Sequence, residues 1–219
     1  MLKAISRSVV SFVFPQSCEL CGAVLPSRTA GGACRVCALS IPLAAPGYTE
    51  NKNFHFDRVF VACYYEDKVK DLLCAFKFRR NRTLKTDLLR LLEKQLQGQD
   101  PTRWDALAAV PMSRGKERER GFNQADLLAR GMAGLLKKTY LKNALSVTGE
   151  HKQQAKLSKS ARRENVKHRF RALKAACGKN ILLVDDILTT GETASQCARA
   201  LKEAGAGTVD VLVVARGRQ

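Results

Sequence analysis

Two adjacent carboxylates and a turn of small hydroxylated residues follow a short apolar run in the segment ILLVDDILTTGET, Ile181 to Thr193. The run has the β-branched character of a fully buried strand, and helix-like spacing follows from Ala194 to Ala204. In an open α/β sheet, ligands bind at the carboxyl ends of the strands, where Asp185 and Asp186 fall. The turn from Thr189 to Thr193 offers backbone N–H groups, hydroxyls and a helix N-terminus to an anion. The pattern predicts a ligand that carries a phosphate together with hydroxyls or Mg²⁺; the alternative is a strand ending in solvated acids before a capped helix.

Two CxxC pairs, Cys18 with Cys21 and Cys34 with Cys37, lie on either side of a short segment that contains glycine and proline. Each pair forms a tight turn that aims two thiolates at one point, and two such turns complete a tetrahedral Cys₄ zinc site. The intervening segment is too small to bury a core, so a metal would supply its folding free energy. The alternative, a redox dithiol, needs only one CxxC in a βαβ context. The four cysteines therefore predict structural Zn²⁺ without an open position for substrate water.

Composition limits the class of protein. The chain has 219 residues, of which 45% are hydrophobic, so it can bury a core and is not disordered by composition. Its net charge of +18 favours polyanionic partners, either nucleic acid or phosphorylated small molecules, without deciding between them. No segment has the length of a transmembrane helix, and residues 2–14 predict a short amphipathic helix rather than a secretory signal. We expect a cytoplasmic protein, because CxxC pairs in a reducing compartment more often hold metal than form disulfides.

The order of elements predicts an α/β fold: a mostly parallel sheet flanked by helices, with a small N-terminal Cys₄ subdomain. A segment containing proline and glycine, Pro42 to Asn53, separates the predicted units 1–45 (N-terminal helix and zinc-ribbon-like subdomain) and 54–219. Alternation and apolar runs predict further strands at Phe56–Tyr65, Asp105–Val110, Asn143–Thr148 and Thr208–Val214. Helical spacing predicts helices at Asp67–Phe78, Leu84–Leu96 and Gln124–Lys138.

Three basic segments are candidates for binding anions. The predicted loop Met112–Gln124 follows a strand, and its cations Arg114, Lys116, Arg118 and Arg120 are suited to clamping a diphosphate, unless the loop is simply solvated. The segment FKFRRNR, Phe76 to Arg82, interleaves cations with aromatic residues and predicts phosphate binding and base stacking, or else an ordinary basic helix end. The basic stretch His151–Lys174 predicts a lid over a polyphosphate or a surface for nucleic acid.

The segment VDDILTTGET resembles the phosphoribosyl-pyrophosphate (PRPP) signature of type I phosphoribosyltransferases. The resemblance implies that Asp185 and Asp186 hold the ribose hydroxyls with Mg²⁺ nearby. It also implies diphosphate binding by Arg114, Lys116 and Arg118. The residues implied to wrap the 5′-phosphate are Thr189, Thr190, Gly191, Glu192 and Thr193.

The order of the Cys₄ knuckle, FKFRRNR, RGFNQ and the PRPP motif resembles the ComF (GntX-like) family over essentially the whole chain. That resemblance implies a phosphoribosyltransferase-like domain with a role in DNA uptake during bacterial competence. The implied reaction is pentosyl transfer, in which an acceptor displaces pyrophosphate from PRPP. Some relatives that use nucleobases carry an acid at the position of Thr189, and threonine cannot accept a proton at neutral pH.

Two functions therefore remain open from the sequence. The first is phosphoribosyl transfer to an unidentified acceptor. The second is a non-catalytic competence factor that retains only PRPP binding and whose partners are single-stranded nucleic acid and the DNA-uptake machinery. A P-loop nucleotide hydrolase is excluded because no GxxxxGK[ST] motif accompanies the acids.

Overall fold

The structure, a computed structural model, describes residues 16–26, 31–50, 53–78, 82–148 and 169–217. Its strands are β1 (Thr49–Glu50), β2 (Arg58–Tyr64), β3 (Ala106–Ala109), β4 (Thr139–Tyr140), β5 (Leu145–Val147), β6 (Phe170–Ala172), β7 (Ile181–Leu188) and β8 (Val209–Arg216). The centre is a six-stranded sheet with the spatial order β1-β2-β8-β7-β3-β4, and β5 and β6 form a separate antiparallel hairpin. Within the large sheet every neighbouring pair is parallel except β1 with β2.

Helices cover both faces of this sheet. The α-helices of the described residues are α1 (Arg35–Leu39), α2 (Asp67–Phe78), α3 (Lys85–Gln95), α4 (Arg114–Arg120), α5 (Gln124–Leu135) and α6 (Glu192–Glu203), and of these α2, α3, α5 and α6 pack on the sheet. One core contains the apolar sides of α2, α3 and α5, together with Leu182 and Val184 of β7. The other contains the apolar side of α6, the hairpin and the alternate β7 residues Ile181 and Leu183. The central strands are therefore buried on both faces, which explains why they are continuously apolar.

The order of the strands reverses between β3 and β7, although the two strands run parallel. From β3 the chain passes through α4 and α5 to β4 at the outer edge, whereas from β7 it passes through α6 to β8 on the opposite side. Such a switch point leaves a crevice at the carboxyl ends of the two central strands, since their connections leave in opposite directions. The predicted mostly parallel α/β sheet is confirmed, and its topology locates the place for a ligand.

Several predicted elements differ from the structure in extent or kind. The prediction of a loop over Met112–Gln124 is wrong, because residues 114–120 form α4. The hydroxyl of Ser113 accepts the Lys116 N–H at its start, and Gly121 ends it with φ 82°. The strand predicted over Asn143–Thr148 is β5, which pairs with β6 outside the large sheet. Strand β7 also continues beyond both acids to Leu188, whereas the acids were predicted to lie at its carboxyl end.

The cysteine-rich segment packs on the body of the protein through α3. The buried carboxylate of Asp87 accepts the N–H groups of Gly32 and Ala33 at 2.7 and 3.2 Å. A Cβ atom on Gly32 would lie 2.6 Å from Leu84, so this approach requires glycine. The segment Pro42–Asn53, predicted to separate two units, also contacts α3, since Gln95 donates to the carbonyls at 45 and 47.

The N-terminal helix predicted at 2–14 lies wholly outside the described residues, as do residues 79–81 of FKFRRNR and the predicted lid up to residue 168. The described part of the lid segment begins at Arg169 and leads into β6. Within the described ranges, no helix is both long and apolar enough to cross a lipid bilayer.

Candidate functional site

A cavity of ≈ 180 Å³ opens at the carboxyl ends of β3 and β7, at the switch point of the strand order. The loop after β3 contributes one wall, and the β5–β6 hairpin contributes another through Val147 and Phe170. The polar groups that line it are Ser113, Lys116, Arg120, Asn123, Arg169, Asp185, Asp186 and Thr193. Carboxylates, hydroxyls and cations thus meet in one crevice, as recognition of a phosphorylated, hydroxylated ligand requires.

The two acids are neighbours on β7 and serve opposite faces of the sheet, because successive side chains of a strand alternate. Asp186 faces α2, where its Oδ2 lies 3.0 Å from the ammonium group of Lys77. The Asp186 N–H in turn donates to Oδ1 of Asp185 at 2.8 Å. The strand therefore presents two carboxylates to the cavity in different surroundings.

Burial of the Asp185 carboxyl, together with the negative charge of Asp186, raises its pKa to about 8, although the Asp186 N–H and Lys77 act to lower it. The free protein therefore keeps a proton on Asp185 at neutral pH. A cation or a hydroxylated ligand that favours the carboxylate would have to displace this proton. Binding of such a ligand should therefore release the proton of Asp185.

The turn after β7 depends on Gly191. Its φ is 84°, and a Cβ atom there would lie 2.8 Å from Cζ of Phe54, so a side chain would be both strained and crowded. The hydroxyl of Thr190 accepts the Glu192 N–H at 3.4 Å, which tightens the turn. The side chains of Thr189, Thr190, Glu192 and Thr193 are all exposed.

Of the five residues predicted for the 5′-phosphate, Thr193 alone lines the cavity in the described part of the chain. Gly191 is buried beneath the turn, and the carboxylate of Glu192 accepts a hydrogen bond from Gln196 at 2.7 Å. The turn nevertheless stands at the N-terminus of the long helix α6, whose first N–H groups have no acceptor within the helix. The structure therefore brings the acids and this turn to one edge of the sheet.

The cations predicted to bind a diphosphate all belong to α4. Lys116 lines the cavity, whereas Arg114 and Arg118 are exposed elsewhere on the helix. Arg120, at the end of α4, lines the cavity as well, and its Nη1 donates to Oε1 of the buried Gln124 at 3.3 Å. A helix spreads these side chains around its circumference, so only part of the predicted set meets in the crevice.

Sequence reasoning missed three contributors. Lys77 belongs to the segment FKFRRNR, which the sequence singled out for its mixture of basic and aromatic residues. Nothing in that pattern indicated that Lys77 pairs with Asp186. Asn123 caps α5 by accepting the Ala125 N–H and donates to the Val110 carbonyl at 3.0 Å, which fixes the loop beside the cavity. Phe54 supports the glycine turn from a distant part of the chain, and no local pattern indicates this contact.

The four cysteines of the CxxC pairs form a second candidate site. Their Sγ atoms all lie within 4.8 Å of one another, and those of Cys21 and Cys34 are 3.7 Å apart. Tetrahedral zinc with Zn–S bonds of ~2.3 Å requires sulfur atoms about 3.8 Å apart. The residues present therefore fit a structural zinc ion.

Two of these sulfur atoms accept hydrogen bonds from backbone N–H groups, as metal-binding thiolates do. Cys18 accepts the Cys34 N–H at 3.2 Å, and Cys34 caps α1 by accepting the Cys37 N–H at 3.4 Å. Burial acts to raise the pKa of Cys18, but the N–H donors of Cys34, Leu20 and Cys21 outweigh it and lower the pKa to about 6. Burial and the neighbouring sulfurs raise the pKa of Cys37 to about 12. A metal ion bound by all four sulfur atoms would deprotonate the thiols and offset the charge of the thiolates.

Comparison with known proteins agrees with this geometry. The model of the family described as phosphoribosyl transferase domain matches residues 86–219. A DNA utilization protein, YhgH, of Escherichia coli O157:H7 is 30% identical over 165 residues, covering 74% of this chain and 73% of the relative. Competence protein F of Haemophilus influenzae is 29% identical over 74% of this chain and 73% of the relative. Competence protein ComFC of Bacillus subtilis is 33% identical over 64% of this chain and 56% of the relative.

Solved structures provide more distant matches. The glutamine PRPP amidotransferase of Bacillus subtilis has a TM-score of 0.43 at 22% identity, over 59% of this chain and 25% of that one. The orotate phosphoribosyltransferase of Aeropyrum pernix has a TM-score of 0.40 at 20% identity, over 77% and 72% of the two chains. The family match, the curated relatives and the observed sheet together show that this chain belongs to the phosphoribosyl transferase domain family, in its ComF branch.

Proposed function

We propose that this chain binds PRPP, or a similar phosphorylated ribose, together with Mg²⁺ at the carboxyl ends of β3 and β7. The observation that carries the proposal is that Asp185, Asp186, Thr193 and Lys116 line the same cavity. These groups have the chemistry that a ribose with phosphates at both ends demands. The family to which the chain belongs supports the same ligand class.

Each part of the ligand has a proposed partner. Asp185 and Asp186 accept hydrogen bonds from the ribose hydroxyls, and their oxygens are the donors that Mg²⁺ prefers. The turn Thr189–Thr193 surrounds the 5′-phosphate with N–H groups and hydroxyls. Lys116, with Arg114 and Arg118 on the same helix, attracts the diphosphate. When bound, Mg²⁺ neutralises charge on the diphosphate and the acids.

The reaction that this arrangement supports is displacement of pyrophosphate from the anomeric carbon of PRPP by an acceptor. The chain's own residues would position the ribose and stabilise the leaving diphosphate, which are the main contributions that such a reaction needs. Thr189 provides no carboxylate to take a proton from an acceptor. The acceptor must therefore arrive as a competent nucleophile or bring its own base.

Titration calorimetry with Mg-PRPP tests the binding proposal directly. We expect saturable binding to the wild type and none to the double variant Asp185→Asn with Asp186→Asn. A screen of acceptors, with pyrophosphate release as the readout, then tests transfer. If the wild type does not bind Mg-PRPP, the proposal is wrong for both binding and transfer.

We further propose that Cys18, Cys21, Cys34 and Cys37 hold a structural Zn²⁺. Support comes from the matching separations of their sulfur atoms and from the N–H donors directed at two of them. Four thiolates leave no position for substrate, so the ion would stabilise the fold of this segment. This role requires reduced thiols, which a cytoplasmic location would maintain.

A second candidate function is binding of single-stranded nucleic acid during DNA uptake, with PRPP bound but not consumed. The observations that favour it are the net charge of +18 and the threonine at position 189. The names of the relatives, DNA utilization and competence proteins, point to the same process. It predicts affinity for single strands that falls steeply with salt, and no pyrophosphate release with any acceptor.

A further inference from the structure

Phe78 is an exposed aromatic residue beside the acid pair. It is the last residue of α2, with 65% of its surface exposed, and it directly follows Lys77, the partner of Asp186. The other apolar residues of α2, among them Val69, Leu72 and Phe76, face the core. A single exposed apolar side chain is common, so its exposure becomes informative only with its surroundings.

Those surroundings fix the position of a cation over the ring. The guanidinium carbon of Arg120 lies 5.3 Å from the centroid of Phe78, within the range of a cation–π contact. The same guanidinium donates to Oε1 of Gln124 at 3.3 Å, and Gln124 is 0% exposed. Arg120 is therefore held at two points, by a ring and by a buried amide.

This pair borders the cavity already described. Arg120 lines that cavity together with Asp185 and Asp186, so the Phe78 ring stands one side chain away from the proposed ribose site. The exposed surface of α4 next to Arg120 carries three further cations, Arg114, Lys116 and Arg118. It also carries two acids, Glu117 and Glu119. A planar aromatic platform with phosphate-attracting cations beside it is the arrangement that binds unpaired bases and their backbone.

We propose that Phe78 and Arg120 form a stacking site for an unpaired base of single-stranded nucleic acid, whose phosphates follow the cations of α4. The proposal deepens the second candidate function, on which it rests, by giving that function a location. The guanidinium of Arg120 lies over one face of the Phe78 ring, and the base stacks on the other face. Recognition is sequence-tolerant, because every base has a π-face.

Two labelled oligonucleotides separate stacking from charge: oligo(dT) and an abasic strand of equal length with the same phosphates. Fluorescence anisotropy at one fixed salt concentration compares the full-length wild type with Phe78→Ala, Phe78→Leu and Phe78→Trp. We expect Phe78→Ala and Phe78→Leu to weaken oligo(dT) binding about 5- to 150-fold, the usual effect of losing one stacked base. Phe78→Trp retains wild-type affinity, and all four proteins bind the abasic strand equally.

The Phe78→Trp variant provides a second readout. Its new indole is exposed, whereas the native Trp104 is 1% exposed. Stacking of a base quenches the fluorescence of the introduced indole on addition of oligo(dT), whereas the wild type shows no change. The matched control is Leu135→Ala, which removes another exposed apolar side chain (48% exposed) and leaves oligo(dT) affinity unchanged.

Three results would overturn the stacking site: equal losses on both strands, wild-type affinity in Phe78→Leu, or a change of oligomeric state in Phe78→Ala measured by light scattering. Titration of the same variants with Mg-PRPP keeps this outcome separate from the ligand proposal. Phe78→Ala should bind Mg-PRPP like the wild type. A wild type that binds oligo(dT) through Phe78 but not Mg-PRPP would refute the PRPP proposal and leave the stacking site intact.

Discussion

The ammonium group of Lys77 lies 3.0 Å from Oδ2 of Asp186, and the two side chains are only 15% and 11% exposed. The contact joins the last turn of α2 to β7, although β8 separates β7 from the strand that precedes α2. A carboxylate at such depth needs a partner, because burying an unpaired charge is costly. Lys77 therefore compensates Asp186, while the adjacent Asp185 keeps its proton at neutral pH.

Replacing Lys77 with methionine should weaken both the fold and the site. The change leaves Asp186 without its cation, and we expect a loss of about 2–3 kcal/mol in the free energy of unfolding. Mg-PRPP affinity should fall as well, because the orientation of Asp186 is no longer fixed. Urea denaturation and calorimetry measure the two effects, and Lys77→Arg should restore most of each.

The control for this variant lies on the same helix. Lys70 is exposed, so Lys70→Met should change stability by less than about 0.5 kcal/mol. A double variant, Lys77→Met with Asp186→Asn, should be more stable than the sum of the single changes predicts. Additive effects would show that the two side chains do not act as a pair.

Asp185→Asn should stabilise the free protein at alkaline pH while it abolishes ligand binding. The folded protein retains the Asp185 proton up to a pKa of about 8. The unfolded chain loses that proton near pH ~4, so between these values the folded state binds the extra proton and wild-type stability falls as pH rises. The asparagine variant lacks this dependence.

Thermal unfolding at pH 5 and pH 8 measures the difference. The quantity to compare is the melting temperature of Asp185→Asn minus that of the wild type. This difference should be larger at pH 8 than at pH 5 by at least about 2–4 °C, the shift that ~1 kcal/mol produces in a protein of this size. Parallel pH profiles of the two proteins would contradict the raised pKa. Asp105→Asn, a change at an exposed acid distant from the cavity, provides the comparison for a general loss of charge.

The acid pair and the glycine turn could be predicted because one contiguous segment carries both the strand pattern and the chemistry. The partner of Asp186 could not, since Lys77 reaches it through the packing of α2 on the sheet. Local patterns also could not show that Phe54 lies against Gly191. Each of these contacts joins positions far apart in the chain, and sequence periodicity reports only on neighbours.

Helix α4 was missed for a different reason. None of its residues is buried, so it lacks the apolar stripe from which helices are predicted. Its alternating charges resembled a solvated loop. The signals that could have found it are its ends, because Ser113 is a favourable N-cap and Gly121 adopts the left-handed conformation of a C-cap.

Gly191→Ala should damage the proposed phosphate turn. The φ of 84° costs a residue with a Cβ atom about 1–2 kcal/mol, and contact with Phe54 at 2.8 Å adds to this. We expect lower stability, because the folded protein carries this strain, and weaker Mg-PRPP binding, because relief of the strain displaces the N–H groups of the turn. Phe54→Ala in the same protein should relieve only the contact, so recovery should be partial.

Gly134→Ala is the matched control for this change. Gly134 lies in α5 with no neighbouring atom within 4 Å of an added Cβ, so alanine there should stabilise the protein by about 0.5–1 kcal/mol. Its Mg-PRPP affinity should equal that of the wild type. Wild-type affinity in Gly191→Ala would show that the turn does not contact the phosphate.

Removing one thiol from the cysteine cluster should release the proposed zinc ion and loosen the segment's attachment to α3. We expect one Zn²⁺ per wild-type chain by elemental analysis, and none in Cys34→Ser. Hydrogen exchange should then accelerate at the N–H groups of Gly32 and Ala33, which donate to Asp87 in the wild type. Cys177→Ser, a change at an exposed cysteine outside the cluster, should retain the metal and the slow exchange. The zinc site is refuted if the wild type contains no stoichiometric zinc and is unaffected by strong chelators. If Cys34→Ser loses zinc but hydrogen exchange does not accelerate, Asp87 holds the segment without help from the metal.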